Sequence, residues 1–159
     1  MKTKTAFLIS VLCIWHLEVC HAEQTISPLN KAMETGHAYR GKGDELAAMA
    51  EFGVALALAE DAGDVARARN QIAFSLKEQK RYEEARVLLS RTLDAKDVDA
   101  GAKTEAQYLL GHSWVDQGNW PKAREAFAKL LEMQGLWPYA LSEAYMIVGI
   151  GLVDEKKNA

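Results

Sequence analysis

Small and large apolar residues return along this chain at a nearly fixed spacing, with polar stretches between them. Gly36, Ala73, Gly111 and Gly149 mark four returns, separated by 37, 38 and 38 residues. Three residues after each stands a large apolar residue (Tyr39, Leu76, Trp114, Leu152), one helical turn on and so on the same face. Seven residues after, the chain reads Gly43, Lys80, Gly118 and Lys156 in polar stretches where a short helix-helix turn would sit. Further on come Ala48, Ala85 and Ala123, then Phe52, Leu89 and Phe127, then Ala55, Thr92 and Leu130. These later steps of four and three predict a second amphipathic helix in each repeat. Helix pairs recurring at a constant spacing predict a stacked array in which each pair buries its apolar face against the next.

Boundary residues refine this reading. Ser27-Pro28 caps a first helix and places proline in its first turn, where the missing N–H costs nothing. Asp44 and Asn119 stand where they can cap second helices, whereas Arg81 at the corresponding place has no capping side chain. Gly63, Gly101 and Gly135 are read as lying near helix ends, where a left-handed residue closes off carbonyls. Helices are expected near 28–41, 45–60, 65–79, 83–94, 102–117, 121–133 and 139–154. Tyr145 to Val153 is apolar and rich enough in β-branched residues to pass for a buried strand. Its phase argues for a helix, because Gly149 and Leu152 fall on the repeat positions.

The pattern resembles the tetratricopeptide repeat family, with its Leu-Gly pair, an aromatic three residues on, then Ala, Phe four later and a closing Pro. Leu110-Gly111, Trp114, Ala123, Phe127 and Pro138 match best, and Gly36, Tyr39, Ala48, Phe52 and Ala55 follow. The middle unit has Ala73 for Gly and Leu76 for the aromatic. The period exceeds the family's usual repeat of about 34 residues, and the excess falls in the junctions Asp61 to Asp64 and Asp94 to Gly101, so a Sel1-like repeat stays open. The resemblance implies an all-α, right-handed superhelical array of antiparallel helix pairs, about seven helices in all. It comprises units near 28–62, 65–99 and 102–137 and a capping helix at 139–154 that is half a unit.

In that family first helices line the concave face, through positions six and three before the small residue and one and four after it. Carried over, this implies Asn30, Met33, His37 and Arg40, then Arg67, Asn70, Phe74 and Lys77, then Glu105, Tyr108, His112 and Val115, with Asp116 beside them. Phe74 and Tyr108 would anchor an extended peptide or a helix between positive charge on Arg40, Arg67 and Lys77 and negative charge on Glu105, Asp116 and Glu143. The family's clamp for acidic chaperone tails needs basic and amide residues where this chain has Met33, His37, Glu105 and Leu109, so that ligand is not implied. Tyr145, Met146, Val148, Ile150 and Val153 lie on the last helix, whose uncovered side is the candidate surface for self-association.

Lys2 and Lys4, the apolar run Ala6 to Trp15 and Cys20-His21-Ala22 read as an export signal covering residues 1–22, ahead of a single domain at 23–159. A lipid anchor at Cys20 is the alternative, though Glu18 and Val19 fit a lipobox poorly. Both cysteines, Cys13 and Cys20, leave with the signal, so disulfides, zinc thiolates and cysteine nucleophiles are not expected. Losing Lys2, Lys4 and Glu18 takes the formal net charge from −3 to −4, the wrong sign for a nucleic-acid binder. His37 and His112 are two helix pairs apart, with neighbouring helices about 8–10 Å from each other, too far to share a metal. No Ser-His-Asp set, phosphate loop or HExxH motif appears. Trp114, Trp120 and Trp137 read as inter-helix packing. The expectation is therefore an exported, non-catalytic scaffold without cofactor or membrane span, periplasmic in a Gram-negative source and otherwise secreted. It would hold a peptide or protein partner, or alternatively serve as a self-associating structural subunit.

Overall fold

The computed structural model describes residues 26–157, with side chains up to Gly149. The expected signal at 1–22 lies outside the described residues. Helices α1 (Pro28–Gly41), α2 (Glu45–Leu58), α3 (Ala62–Glu78), α4 (Tyr82–Asp94), α5 (Ala100–Asp116), α6 (Trp120–Leu131) and α7 (Pro138–Lys157) follow one another. Each packs against the next as an antiparallel neighbour, and α3 also lies along α5. Among the described residues the chain is an all-α array of seven helices, of the kind the spacing predicts.

One residue per pair joins its two helices. The N–H of Asp44 donates to Tyr39 O at 3.0 Å, that of Arg81 to Leu76 O at 2.9 Å, and that of Asn119 to Trp114 O at 2.8 Å. Each bond closes the last turn of a first helix around a left-handed residue: Gly43 (φ 79°), Lys80 (φ 61°) and Gly118 (φ 75°). The same residue then opens the second helix. Asp44 accepts from Ala47 N at 3.0 Å and Asn119 from Lys122 N at 3.3 Å, while Arg81 makes no side-chain cap. Exposed Lys80 carries a Cβ where the other two turns have glycine. Lys80→Gly is expected to stabilise the fold by about 0.5–1 kcal/mol, the left-handed penalty less the added freedom of the unfolded chain. Urea denaturation of the single variant checks this, and a lower midpoint would refute it.

The structure corrects two boundary readings. Asp61 accepts from Asp64 N at 2.8 Å and Asp99 from Ala102 N at 2.9 Å, so α3 and α5 start upstream of the expected residues. Gly63 and Gly101 therefore sit in first turns rather than closing helix ends, whereas Gly135 is left-handed at φ 77°. The apolar run from Tyr145 is helical, and α7 continues through Lys156, where the spacing alone suggested a turn.

Alanines allow the helices to approach closely. Ala73, Leu76, Ala85, Leu89, Ala106 and Leu109 form the central core, and Phe127, Leu130, Ala140, Ala144 and Ile147 form the one under α7. Phe52 and Phe127 are fully buried over Gly36 and Gly111. Thr92 is fully buried too, at the place that Ala55 and Leu130 hold in their pairs, and its hydroxyl has no partner. Thr92→Val keeps the shape and removes an unpaired polar group, so thermal unfolding should register a gain of about 1 kcal/mol. A loss of similar size would mean that the hydroxyl is bonded.

Candidate functional site

Side-by-side packing of α3 and α5 brings three first helices to one cleft. It holds about 500 Å3 and is lined by Arg40, Gln71, Phe74, Gly101, Glu105, Tyr108, Leu109 and Trp137. Arg40, Phe74, Glu105 and Tyr108 come from the expected groove set. Gln71 and Leu109 stand two residues before their repeat positions, and Trp137 comes from the junction between α6 and α7. The equivalent places of Gln71 and Leu109 in neighbouring helices were the signal that could have found them. Trp137 lies outside the repeat phase and had none.

Arg40 organises one end. Its Nη1 donates to Gln71 Oε1 at 2.5 Å, and its Nη2 to Gln71 O at 2.9 Å and Ser75 Oγ at 3.2 Å. Its Nε faces Glu45 Oε2 at 3.7 Å, and the guanidinium lies between the rings of Phe52 (4.7 Å) and Phe74 (4.2 Å). Burial pushes the Arg40 pKa down, against the pull of Glu45 and Glu105. Exposed His37 sets its ring edge-on to Phe52 at 5.2 Å, and its pKa is lowered by partial burial and then by the charge of Arg40.

At the other end Tyr108 is central. Its hydroxyl donates to Glu143 Oε2 at 2.7 Å, and its ring meets those of His112 at 4.4 Å and Trp137 at 5.5 Å. Burial, and then the bond to Glu143, raise the Tyr108 pKa far above the usual phenol range, so it stays a donor. His112 Nε2 lies 3.2 Å from Glu143 Oε2, within ion-pair distance but off hydrogen-bond geometry, which ties α5 to α7.

The remaining predicted residues take other places. Asn70 is fully buried and fastens α3 to α5 through Ala102 O (2.9 Å) and Glu105 Oε2 (3.0 Å). Lys77 bridges Glu78 at 2.6 Å and exposed Asp116 at 2.9 Å; burial lowers its pKa, but these two carboxylates together hold it above the usual value. Arg67 is exposed and paired with Asp64, and Met33 packs beside Ala32, Ala55 and Ala68. Val115 packs against the core under α7, and Asn30 is exposed at the start of α1.

On α7, Tyr139, Tyr145 and Met146 are 66%, 62% and 56% exposed. Val148 instead lies half-buried against the core of Phe127 and Ile147. Ile150 and Val153 belong to the helix but lie outside the residues with described side chains. Trp114 is held between Arg86 Cζ at 3.6 Å and Lys122 Nζ at 4.3 Å, which makes it an inter-helix contact, whereas Trp120 is 52% exposed.

A tetratricopeptide repeat model matches residues 105–133, the greater part of α5 and all of α6. The chain carries a tetratricopeptide-like repeat unit. This unit supplies Glu105, Tyr108 and Leu109 to the cleft and Phe127 to the core beneath it. No curated protein matches the chain. Among the described residues no group of three or more His, Cys, Asp and Glu could hold a metal ion, and no helix is long and apolar enough to cross a membrane. The array, with its one tetratricopeptide-like unit, is a helical scaffold of a kind suited to protein interaction.

Proposed function

We propose that the chain is an exported adaptor whose cleft between α1, α3 and α5 holds a peptide segment of a partner protein. On this reading residues 1–22 are removed and residues 23–159 act as one domain. That domain comprises three tetratricopeptide units and a half-unit, α7, and works in the periplasm of a Gram-negative source or outside the cell otherwise. The observation that carries the proposal is the cleft itself: three aromatic rings, a fixed carboxylate and a fixed guanidinium brought together by α1, α3, α5 and the junction before α7, in a volume typical of ligand sites. Crosslinking in the native envelope fraction tests it, comparing the wild type with Phe74→Ala plus Tyr108→Ala, both shown folded by circular dichroism. Partners bound through the cleft disappear from the variant. Equal recovery of every partner would reject the cleft.

A second reading draws on the exposed Tyr139, Tyr145 and Met146 of α7. On this reading the apolar face that these side chains form pairs with a second copy. Sedimentation of wild type against Tyr145→Glu plus Met146→Glu decides: a wild-type monomer ends this reading, and a dimer abolished by the variant supports it.

A further inference from the structure

Glu105 is held in a particular way. Its Oε1 accepts from Gln71 Nε2 at 2.9 Å and its Oε2 from Asn70 Nδ2 at 3.0 Å, both neutral amides on α3. Asn70 is itself fully buried and anchored to Ala102 O, so the carboxylate is fixed from behind. Among the described residues no Lys, Arg or His comes within ion-pair distance of it. Neutral donors orient a carboxylate without cancelling its charge, and each oxygen keeps a further lone pair.

The nearby cations are already committed. Arg40 donates to Gln71 and Ser75, faces Glu45 at ion-pair distance and lays its guanidinium on Phe52 and Phe74, while Lys77 is shared by Glu78 and Asp116. Across the cleft stand Tyr108 and Trp137, their rings 5.5 Å apart at 66°. The Tyr108 hydroxyl donates to a second carboxylate, Glu143, which draws the proton away from the ring and makes its face a better seat for positive charge. One oriented carboxylate and two aromatic rings, with no cation at ion-pair distance from that carboxylate among the described residues, suit a cation with a stackable face. An acidic side chain would meet Glu105 head-on.

We propose that the part of the cleft between Glu105 and the rings of Tyr108 and Trp137 is a subsite for a basic side chain, arginine above lysine, on the bound peptide. This rests on the cleft being the peptide site, as proposed above. A guanidinium there pairs with the free lone pairs of Glu105 and lies against an aromatic ring. The cleft's volume of about 500 Å3 leaves room for flanking backbone as well.

Four blocked pentapeptides, Ala-Leu-Xaa-Leu-Ala with Xaa as Arg, Lys, Glu or norleucine, provide the test. Titrated into the labelled protein, they are followed by amide and Trp137 indole nitrogen-proton shifts. The Arg and Lys forms are expected to move Trp137 and to bind about tenfold more tightly than the Glu form, the difference that one desolvated cation–π and ion-pair contact supplies. Glu105→Gln, checked for a folded spectrum, should erase that preference. Comparing peptides on the wild type keeps the test decisive even if that variant is unstable. A norleucine or Glu form binding at Trp137 as well as the Arg form overturns the basic subsite and leaves the peptide cleft standing. Absence of any Trp137 shift also overturns the subsite, while the crosslinking comparison separately decides the cleft.

Discussion

Replacing Gly111 with alanine is expected to lower stability by about 1–3 kcal/mol through overpacking, and adding Phe127→Leu should return much of that loss. A Cβ on Gly111 would lie 2.7 Å from Phe127 Cε2, and one on Gly36 2.5 Å from Phe52 Cε1, closer than real side-chain carbons approach. Both rings are fully buried, so neither has space to swing away. The middle pair shows the compensated arrangement: where the others have Gly with Phe, it has Ala73 and Leu89 in one buried core. The methyl group gained on one helix accompanies a smaller side chain on the other. Gly149 makes the contrast, since a Cβ there meets nothing within 4 Å. Gly149→Ala should therefore stabilise α7 by about 0.5–1 kcal/mol, the usual gain from replacing a helical glycine. In urea titrations of Gly111→Ala, Phe127→Leu and the double variant, the two changes should couple by about 1 kcal/mol or more. Simple additivity would mean that Gly111 is not there to admit the ring.

The same positions explain what the sequence made legible. Spacing of small and large apolar residues fixes which face of each helix is buried, so the helix order and pairing could be read from Gly36, Ala73 and Gly111 onward. Helix starts were read less well at α3 and α5, because Asp61 and Asp99 cap from just upstream of glycines that look like terminators. At the cleft, offsets along a first helix give a direction but not a depth. Asn70 and Tyr108 share one offset, yet Asn70 is sealed between α3 and α5 while Tyr108 lines the cleft. Trp137 reaches the cleft from a junction that no repeat phase governs. Charge was similarly ambiguous: Arg40 and Glu105 read as opposite ends of one field, and only the bonding distinguishes a guanidinium hydrogen-bonded to Gln71 and Ser75 from a carboxylate held by neutral amides.

Arg40→Ala is expected to cost the fold about 2–4 kcal/mol, at the upper range for removing a charged hydrogen-bond partner from a half-buried site. The guanidinium touches α1's partner helix and α3 together. It reaches Glu45 and Phe52 on α2, and Gln71, Phe74 and Ser75 on α3. Without it, Gln71 O and Oε1 and the Ser75 hydroxyl lose a donor, and the buried Glu45 Oε2 loses its counter-charge. Arg40→Lys should recover the loss only in part, because an ammonium supplies charge but not the planar fork that bonds Gln71 twice and stacks on both rings. Arg40→Met separates packing from bonding, since it fills the space between Phe52 and Phe74 with no donor. The expected order of urea midpoints is wild type, then lysine, then methionine, then alanine. If methionine matches or exceeds the wild type, the guanidinium's desolvation outweighs its bonds, and Arg40 is kept for the cleft rather than for the fold.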